Sequence, residues 1–351
     1  DLSVNCSPDK IQVTLSGLAN NFDESVQLFE TILANAVADE DALIELKATK
    51  LKERADAKLD RQTILWRAMG NYAKYGSNSS FMNILSEEDL NNVTSTELLD
   101  LIHNLTAYKH RILYYGPEKM SKVVSDLEEL HANKTDLKEI PTKKEFAESA
   151  MDKPMVYVVD YDMKQAEVII LSKGSKLNMD EYAIIKYHNE YFGGGMSSIV
   201  FQEMRESKAL AYSVFSTYTL PKDTNTSHYL MSYIGTQADK LSEAMLGMNE
   251  LLDAMPEAEA NMTNAKESIE QKIRTERLTK SRILSEYEKA QKLGINHDVR
   301  KDLYDGVQTF DIASLREFHN SHISSGTRVV MVLGSKEDLD LDVLKQYGEI
   351  K

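Results

Sequence analysis

Three consecutive glycines, Gly193, Gly194 and Gly195, interrupt this chain between two apolar-periodic runs, and no other feature so narrows what it can fold into. Ahead of them Tyr182, Ile185, His188 and Phe192 recur at helical spacing, so a helix must end at the glycines, where the backbone is free to take positive φ. Beyond them Met196, Ile199, Val200 and Met204 share one face while Gln202, Glu203, Arg205 and Glu206 stay polar, which predicts a second helix lying on a core. After Leu210 the period changes: residues 211–220 are rich in Tyr, Val, Phe and Thr, the composition of a strand. This places Arg205 on the second helix and Tyr212 just past it, at the entry to a sheet. A helix, a glycine corner, a second helix and a strand in so short a stretch require helices laid against a sheet.

The same alternation runs through the rest of the chain. Residues 10–18 read as a strand, with Ile11, Val13 and Leu15 alternating against Gln12, Thr14 and Ser16, and Gly17 closing it. Helical stripes follow at Val26, Phe29, Leu33 and Ala36, then at Leu43, Leu46 and Leu51, then at Ile64, Leu65, Met69 and Tyr72 beside the single tryptophan, Trp66. A short helix is expected near Ser86, one capped by Ser95, a strand over residues 110–115 ending at Gly116, and a helix opened by Pro117. Residues 131–153 are charged and aperiodic, as a linker would be. Two strands, residues 155–159 and 166–171, open the second domain, and Asn178 caps the helix leading to the glycine corner, with Glu181 placed as in a capping box. Residues 212–220 and 227–235 form a hairpin, helices follow with a stripe at Leu241, Met245, Met248 and Leu252, and residues 328–333 are the last strand, closed by Gly334.

The two halves line up. Gly17 with Gly235, and Gly116 with Gly334, end comparable strands, and each pair is 218 residues apart, so the chain reads as an internal repeat. The second copy begins near Met155, so a faithful repeat implies roughly 64 residues of the first copy ahead of Asp1. The expected organisation is a domain truncated at its N-terminus over 1–135, a linker over 136–153 and a complete domain over 154–351. The fold class is α+β, each domain a mixed or antiparallel sheet covered by several helices.

Acidic residues outnumber basic ones 56 to 41, for a formal charge of −15, which argues against a nucleic-acid partner because phosphate neutralisation dominates such binding. No run of 18 apolar residues occurs, so no membrane span is expected. Cys6 stands alone and can form neither an internal disulfide nor a thiolate metal cluster. None of the eight histidines lies in His-x-x-Glu-His or its reverse. His319 and His322 are three apart with no Glu between them as base, and His188 and Glu190, two apart, face away from each other on a helix. Gly193 to Gly195 is not followed by the Lys-Ser/Thr of a phosphate loop. No metal ligands and no complete catalytic apparatus are expected in this chain.

The ordered string Phe192-Gly193-Gly194-Gly195, then Arg205-Glu206, then Leu210-Ala211-Tyr212, resembles the C-terminal, non-zinc half of the pitrilysin/insulinase zinc peptidases, the inverzincins, whose catalytic half carries His-x-x-Glu-His. The resemblance implies a pitrilysin or mitochondrial-processing-peptidase-like fold for both domains. It implies that Arg205 and Tyr212, seven positions apart, contact the substrate and the transition state, and that Phe192, Gly193, Gly194 and Gly195 belong to the substrate chamber. Zinc is expected in the parent protein, bound outside this chain by an N-terminal half that closes with it around a peptide substrate. The alternative is a pseudo-peptidase scaffold or heterodimer partner, of the kind found among the core subunits of a respiratory complex. Cytoplasmic and periplasmic locations are both open.

Overall fold

The computed structural model describes residues 1–351 except Pro8 and residues 132–135, so the expected domain end at residue 135 lies outside the described residues. The chain forms two compact units: Asp1–Leu59 with Ser77–Ala147, and Asp60–Gly76 with Glu148–Lys351.

In the first unit β1 (Leu2–Ser7) and β2 (Lys10–Leu15) pair antiparallel. Helix α1 (Phe22–Asn35) follows, then α2 (Glu40–Ala57), capped by Asp39, whose side chain accepts from the Ala42 N–H. The next helix, a π-helical turn at Thr63–Met69 running into α3 (Gly70–Tyr75), belongs to the second unit. Helix α4 (Glu87–Asn92) is capped by Ser86. Helix α5 (Ser95–His103) is capped by Thr94 and not by Ser95, because Thr94 and Glu97 close a reciprocal capping box. Helix α6 (Met120–Leu130) starts three residues after Pro117. Among the described residues of this unit, Val26, Leu43, Ala107 and Val123 are the buried apolar ones. Residues 110–115, expected as a strand, are not in one. Among the described residues of this unit, β1 and β2 pair with each other, and a ladder for residues 110–115 is missing; the nearest pairing is one bridge between Tyr108 and Lys138. A run without partners for its N–H and C=O groups does not become a strand.

The second unit holds β3 (Met155–Asp160), β4 (Gln165–Lys176), α7 (Tyr182–Phe192), α8 (Ile199–Phe201), β5 (Ser213–Tyr218), β6 (Ser227–Gln237), α9 (Leu241–Asp253), α10 (Glu259–Thr275), α11 (Arg282–Lys292), α12 (Val299–Thr309), α13 (Ile312–His319), β7 (Arg328–Gly334), α14 (Leu341–Lys345) and β8 (Glu349–Ile350). Its six strands run in the order β5, β6, β4, β7, β3, β8. β5 with β6, β6 with β4 and β4 with β7 pair antiparallel, while β3 is parallel to β7 and β8. The sheet is therefore mixed, and β7 lies between β3 and β4, which follow each other in sequence without pairing.

The period of two along β4 divides two cores. Val168 and Ile170 face Ile185, Tyr187, Met248, Leu252, Val307 and Leu315 of the helical layer. Ile169 and Leu171, with Val329, Met331 and Leu333, face Leu65, Met69 and Ala73 of the helix at 63–75. Burial on both faces is why Val168–Leu171 of β4 read as a continuous apolar run. Shifted by 218 residues, α1, α2 and α5 fall on α9, α10 and α13, whereas residues 110–116, which fall on β7, form no strand.

Candidate functional site

Helix α7 ends at Gly193, whose N–H bonds the Asn189 carbonyl and whose φ is −142°. None of the three glycines adopts positive φ, contrary to the expectation from sequence. Close approach is what excludes a side chain here: a Cβ at Gly193 would lie 2.2 Å from the Ser216 carbonyl oxygen, and one at Gly194 2.7 Å from that of Asn189. At Gly195 the nearest atom would be Glu190 Oε1 at 3.9 Å, an ordinary contact. The corner is thus pressed onto the edge strand β5. The Ser216 N–H donates to the Gly193 carbonyl at 3.3 Å. Asn189 serves Tyr218 as a strand would, its Nδ2 donating to the Tyr218 carbonyl at 2.9 Å and its Oδ1 accepting from the Tyr218 N–H at 2.7 Å. Along Ser216 and Tyr218 the edge of β5 is therefore closed to strand addition. Phe192 is buried, stacked on His188 at 5.2 Å between ring centroids and packed edge-on to His319, so it holds the corner from within the core and offers no surface to a peptide.

Past the corner Met196 is exposed and outside the apolar face, because the helix starts at Ile199 with Ser198 as its cap. Ile199, Val200 and Met204 are buried as expected. The helix then widens into a π-helix at Gln202–Ser207, and the Lys208 N–H bonds Glu203 five residues back. Such π segments often occur at functional sites. The Met204 carbonyl accepts from the N–H groups of Leu210 at 2.8 Å and Ala211 at 3.2 Å, closing a short loop. Within it Ala209 takes a φ of 49°, uncommon for a residue with a Cβ. Three further bonds lock the loop: Lys240 Nζ to the Ala209 carbonyl, Thr236 Oγ1 to the Leu210 carbonyl, and the Tyr212 N–H to the Gly235 carbonyl.

Arg205 and Tyr212 sit at the two ends of this loop, one directly after Met204 and the other directly after Ala211. Tyr212 is 69% exposed. The Arg205 guanidinium lies 4.9 Å from the centre of the Phe201 ring, and its Nε is 3.6 Å from Glu206 Oε1, an exposed pairing of little weight for stability. An elaborate local backbone thus presents two side chains that contribute little to the fold.

Local spacing reveals nothing of a second group beside Tyr212. Trp66 stacks on Phe215 at 5.9 Å and contacts Tyr233 at 5.1 Å, centroid to centroid. Glu167 is buried on β4 with Arg61 Nη1 3.4 Å from its Oε1. Burial pushes the Glu167 carboxyl up while Arg61 opposes the shift. Burial and then the Glu167 carboxylate push the Tyr233 phenol up to about 12, with Tyr212 adding to the effect. The one sequence signal was a lone carboxylate inside the apolar run of β4; Arg61 and Trp66 are a hundred residues away in the chain.

His188 and His319 are core groups. His188 Nε2 is 3.1 Å from His319 Nδ1, and His319 Nε2 is 3.0 Å from the Leu252 carbonyl. Burial lowers both, His319 to about 4, so both are neutral imidazoles near neutral pH. Among the described residues no group of three or more His, Cys, Asp or Glu is placed to hold a metal. The three ligands and carboxylate base that zinc-assisted peptide hydrolysis needs therefore do not fit these residues. Among them too, no helix is long and apolar enough to cross a membrane.

Over 91 residues the chain is 34% identical to the uncharacterized zinc protease YmxG of Bacillus subtilis, a match spanning 26% of this chain and 22% of that relative's length. The fold is that of the peptidase M16 inactive domain from Pseudomonas fluorescens, with a TM-score of 0.70 at 16% identity over 96% of this chain and 81% of that one. The periplasmic protease PqqL from Escherichia coli superposes with a TM-score of 0.67 at 13% identity, over 96% of this chain and 37% of that one. Residues 112–269, which include the glycine corner, Arg205 and Tyr212, match the family described as peptidase M16 inactive domain.

Proposed function

We propose that this chain is the C-terminal, non-zinc part of a zinc-dependent metalloendopeptidase that degrades peptides in a closed chamber. The carrying observation is the locked loop 204–211, which holds Arg205 and Tyr212 exposed at its ends. Peptide hydrolysis passes through a tetrahedral intermediate, and a donor fixed where its oxyanion develops stabilises the transition state more than the ground state. The Tyr212 phenol supplies such a donor. The permanently charged fork of Arg205 grips a substrate carbonyl or carboxylate. The metal chemistry belongs to the N-terminal half of the same parent, so this chain alone is expected to be inactive. Because Asn189 and Gly193 cover the edge of β5, the contacts this unit gives a peptide come from side chains and not from strand pairing over Ser216 and Tyr218.

The test is a peptidase assay of the full-length parent on a quenched peptide library, comparing wild type with Tyr212→Phe and Arg205→Ala, with zinc content measured alongside. Both variants are expected to keep the zinc and the fold and to lose about 10²-fold or more in kcat/KM, the scale of removing one oxyanion donor. Unchanged rates in both variants would remove the role given to these residues. A parent that holds no zinc and cuts nothing would establish the other reading, a non-catalytic scaffold or partner subunit.

A further inference from the structure

Two histidines of the first unit face each other in a geometry that the peptidase reading does not use. His110 lies on the irregular segment after α5 and is exposed, while His131 caps the end of α6 and is buried. Their Nε2 atoms are 2.9 Å apart. Behind each ring the other nitrogen meets an atom that can only accept: His110 Nδ1 is 2.7 Å from the Tyr108 carbonyl oxygen, and His131 Nδ1 is in hydrogen-bond contact with Glu30 Oε1 of α1. A carbonyl and a carboxylate have no hydrogen to give, so the hydrogen of each neutral imidazole sits on Nδ1. Both Nε2 atoms then present bare lone pairs to each other, and lone pairs at this distance repel unless a cation stands between them.

This is also how metal-binding histidines are held, one nitrogen towards the ion and the other N–H donated to a carboxylate or a backbone carbonyl, which fixes tautomer and ring orientation. Here one ring has the carboxylate and the other the carbonyl. We propose that His110 and His131 bind one divalent transition-metal ion of the kind imidazole favours, through their Nε2 atoms, with water completing its coordination. At a zinc–nitrogen distance of about 2.0–2.1 Å the ion sits off the line between the two nitrogens, which are 2.9 Å apart. Two protein ligands do not make a hydrolytic centre. The ion ties together α1 through Glu30, the segment at 108–110 and the end of α6, and it stabilises the first unit because the unfolded chain does not bring these residues together.

The test is a calorimetric titration of the 351-residue chain with zinc, repeated with cobalt and followed by visible absorption. Wild type is expected to take up one equivalent per chain and to melt at a higher temperature with zinc than without. His110→Gln, at an exposed position off any helix or strand, keeps its circular dichroism but loses at least about tenfold in affinity and the thermal shift. Glu30→Gln, which leaves both ligands in place, weakens binding by about 10–100-fold. His297→Gln, at an exposed histidine paired with Asp302, changes nothing. No uptake by wild type, or uptake that His110→Gln does not reduce, overturns the proposal and leaves a proton shared between the two rings as what holds them.

Discussion

Gly193 and Gly195 stand two positions apart, and the structure constrains the first and not the second. In the sequence both read as residues freed for positive φ at a helix end, yet neither uses it. Gly193 is needed because its Cα lies against the backbone of Ser216, twenty-three residues on, a contact no local pattern announces. A methyl group there meets main-chain atoms of β5, which cannot swing aside, and the cost of forcing such overlap is about 1–3 kcal/mol or more. Gly195 has room for the same methyl. Gly193→Ala is therefore expected to lower the free energy of urea unfolding by at least about 2 kcal/mol, with Gly195→Ala within about 0.5 kcal/mol of wild type. Equal losses in the two variants would mean that backbone freedom, and not the contact with β5, is what the corner requires. Arg205 and Tyr212 were legible because their order and spacing are local. Arg61, Trp66 and Glu167 were not, since a cross-sheet neighbourhood leaves no mark on spacing along the chain.

At the level of elements, periodicity identified most helices and strands, and the errors came from partners. The stripe of Ile64, Leu65, Met69 and Tyr72 announced a helix, but which sheet it covers depends on tertiary packing, and it lies on the second unit's sheet. Likewise residues 110–115, with Ile112, Leu113, Tyr114 and Tyr115 in a row, have the composition of a strand, whereas strand formation needs a ladder that the described residues of this unit do not provide. The insertion of β7 between β3 and β4 was illegible for the same reason: neighbours in a sheet are chosen by the whole sheet. Leu65 tests the helix assignment. It is fully buried against the back face of the sheet, in the cluster formed with Ile169, Leu171, Met331 and Leu333. Leu65→Ala leaves a cavity there, and the expected cost is about 2–5 kcal/mol, seen as an earlier loss of the sheet's circular dichroism in urea. A loss below about 0.5 kcal/mol would mean that the helix is a loosely held cover.

For the molecule as a whole, burial predicts where the chain opens first. In the first unit Val4, Ile11, Leu28, Ile32, Leu101 and Met120 are exposed, leaving a small interior around Val26, Leu43 and Val123. In the second, both faces of the sheet are covered, and Val168, Ile170, Ile185, Met248 and Leu315 are shielded from solvent. Apolar burial is the main favourable term in folding, so the two units should differ in the free energy of local opening. In native-state hydrogen exchange, amides of α1, α2 and α6 are expected to exchange well before those of β4 and β6, which wait for the second unit to open. The informative segment is residues 63–75. It follows α2 in sequence after a short turn, yet its side chains complete the back face of the sheet, so its amides should be protected with β4 and not released with α2. Exchange of 63–75 in step with α2 would place this helix with the first unit and dissolve the two-sided burial of the sheet. Protection together with β4 would show that the cooperative units of this chain are discontinuous in sequence, each defined by the core it closes and not by the order in which its residues are joined.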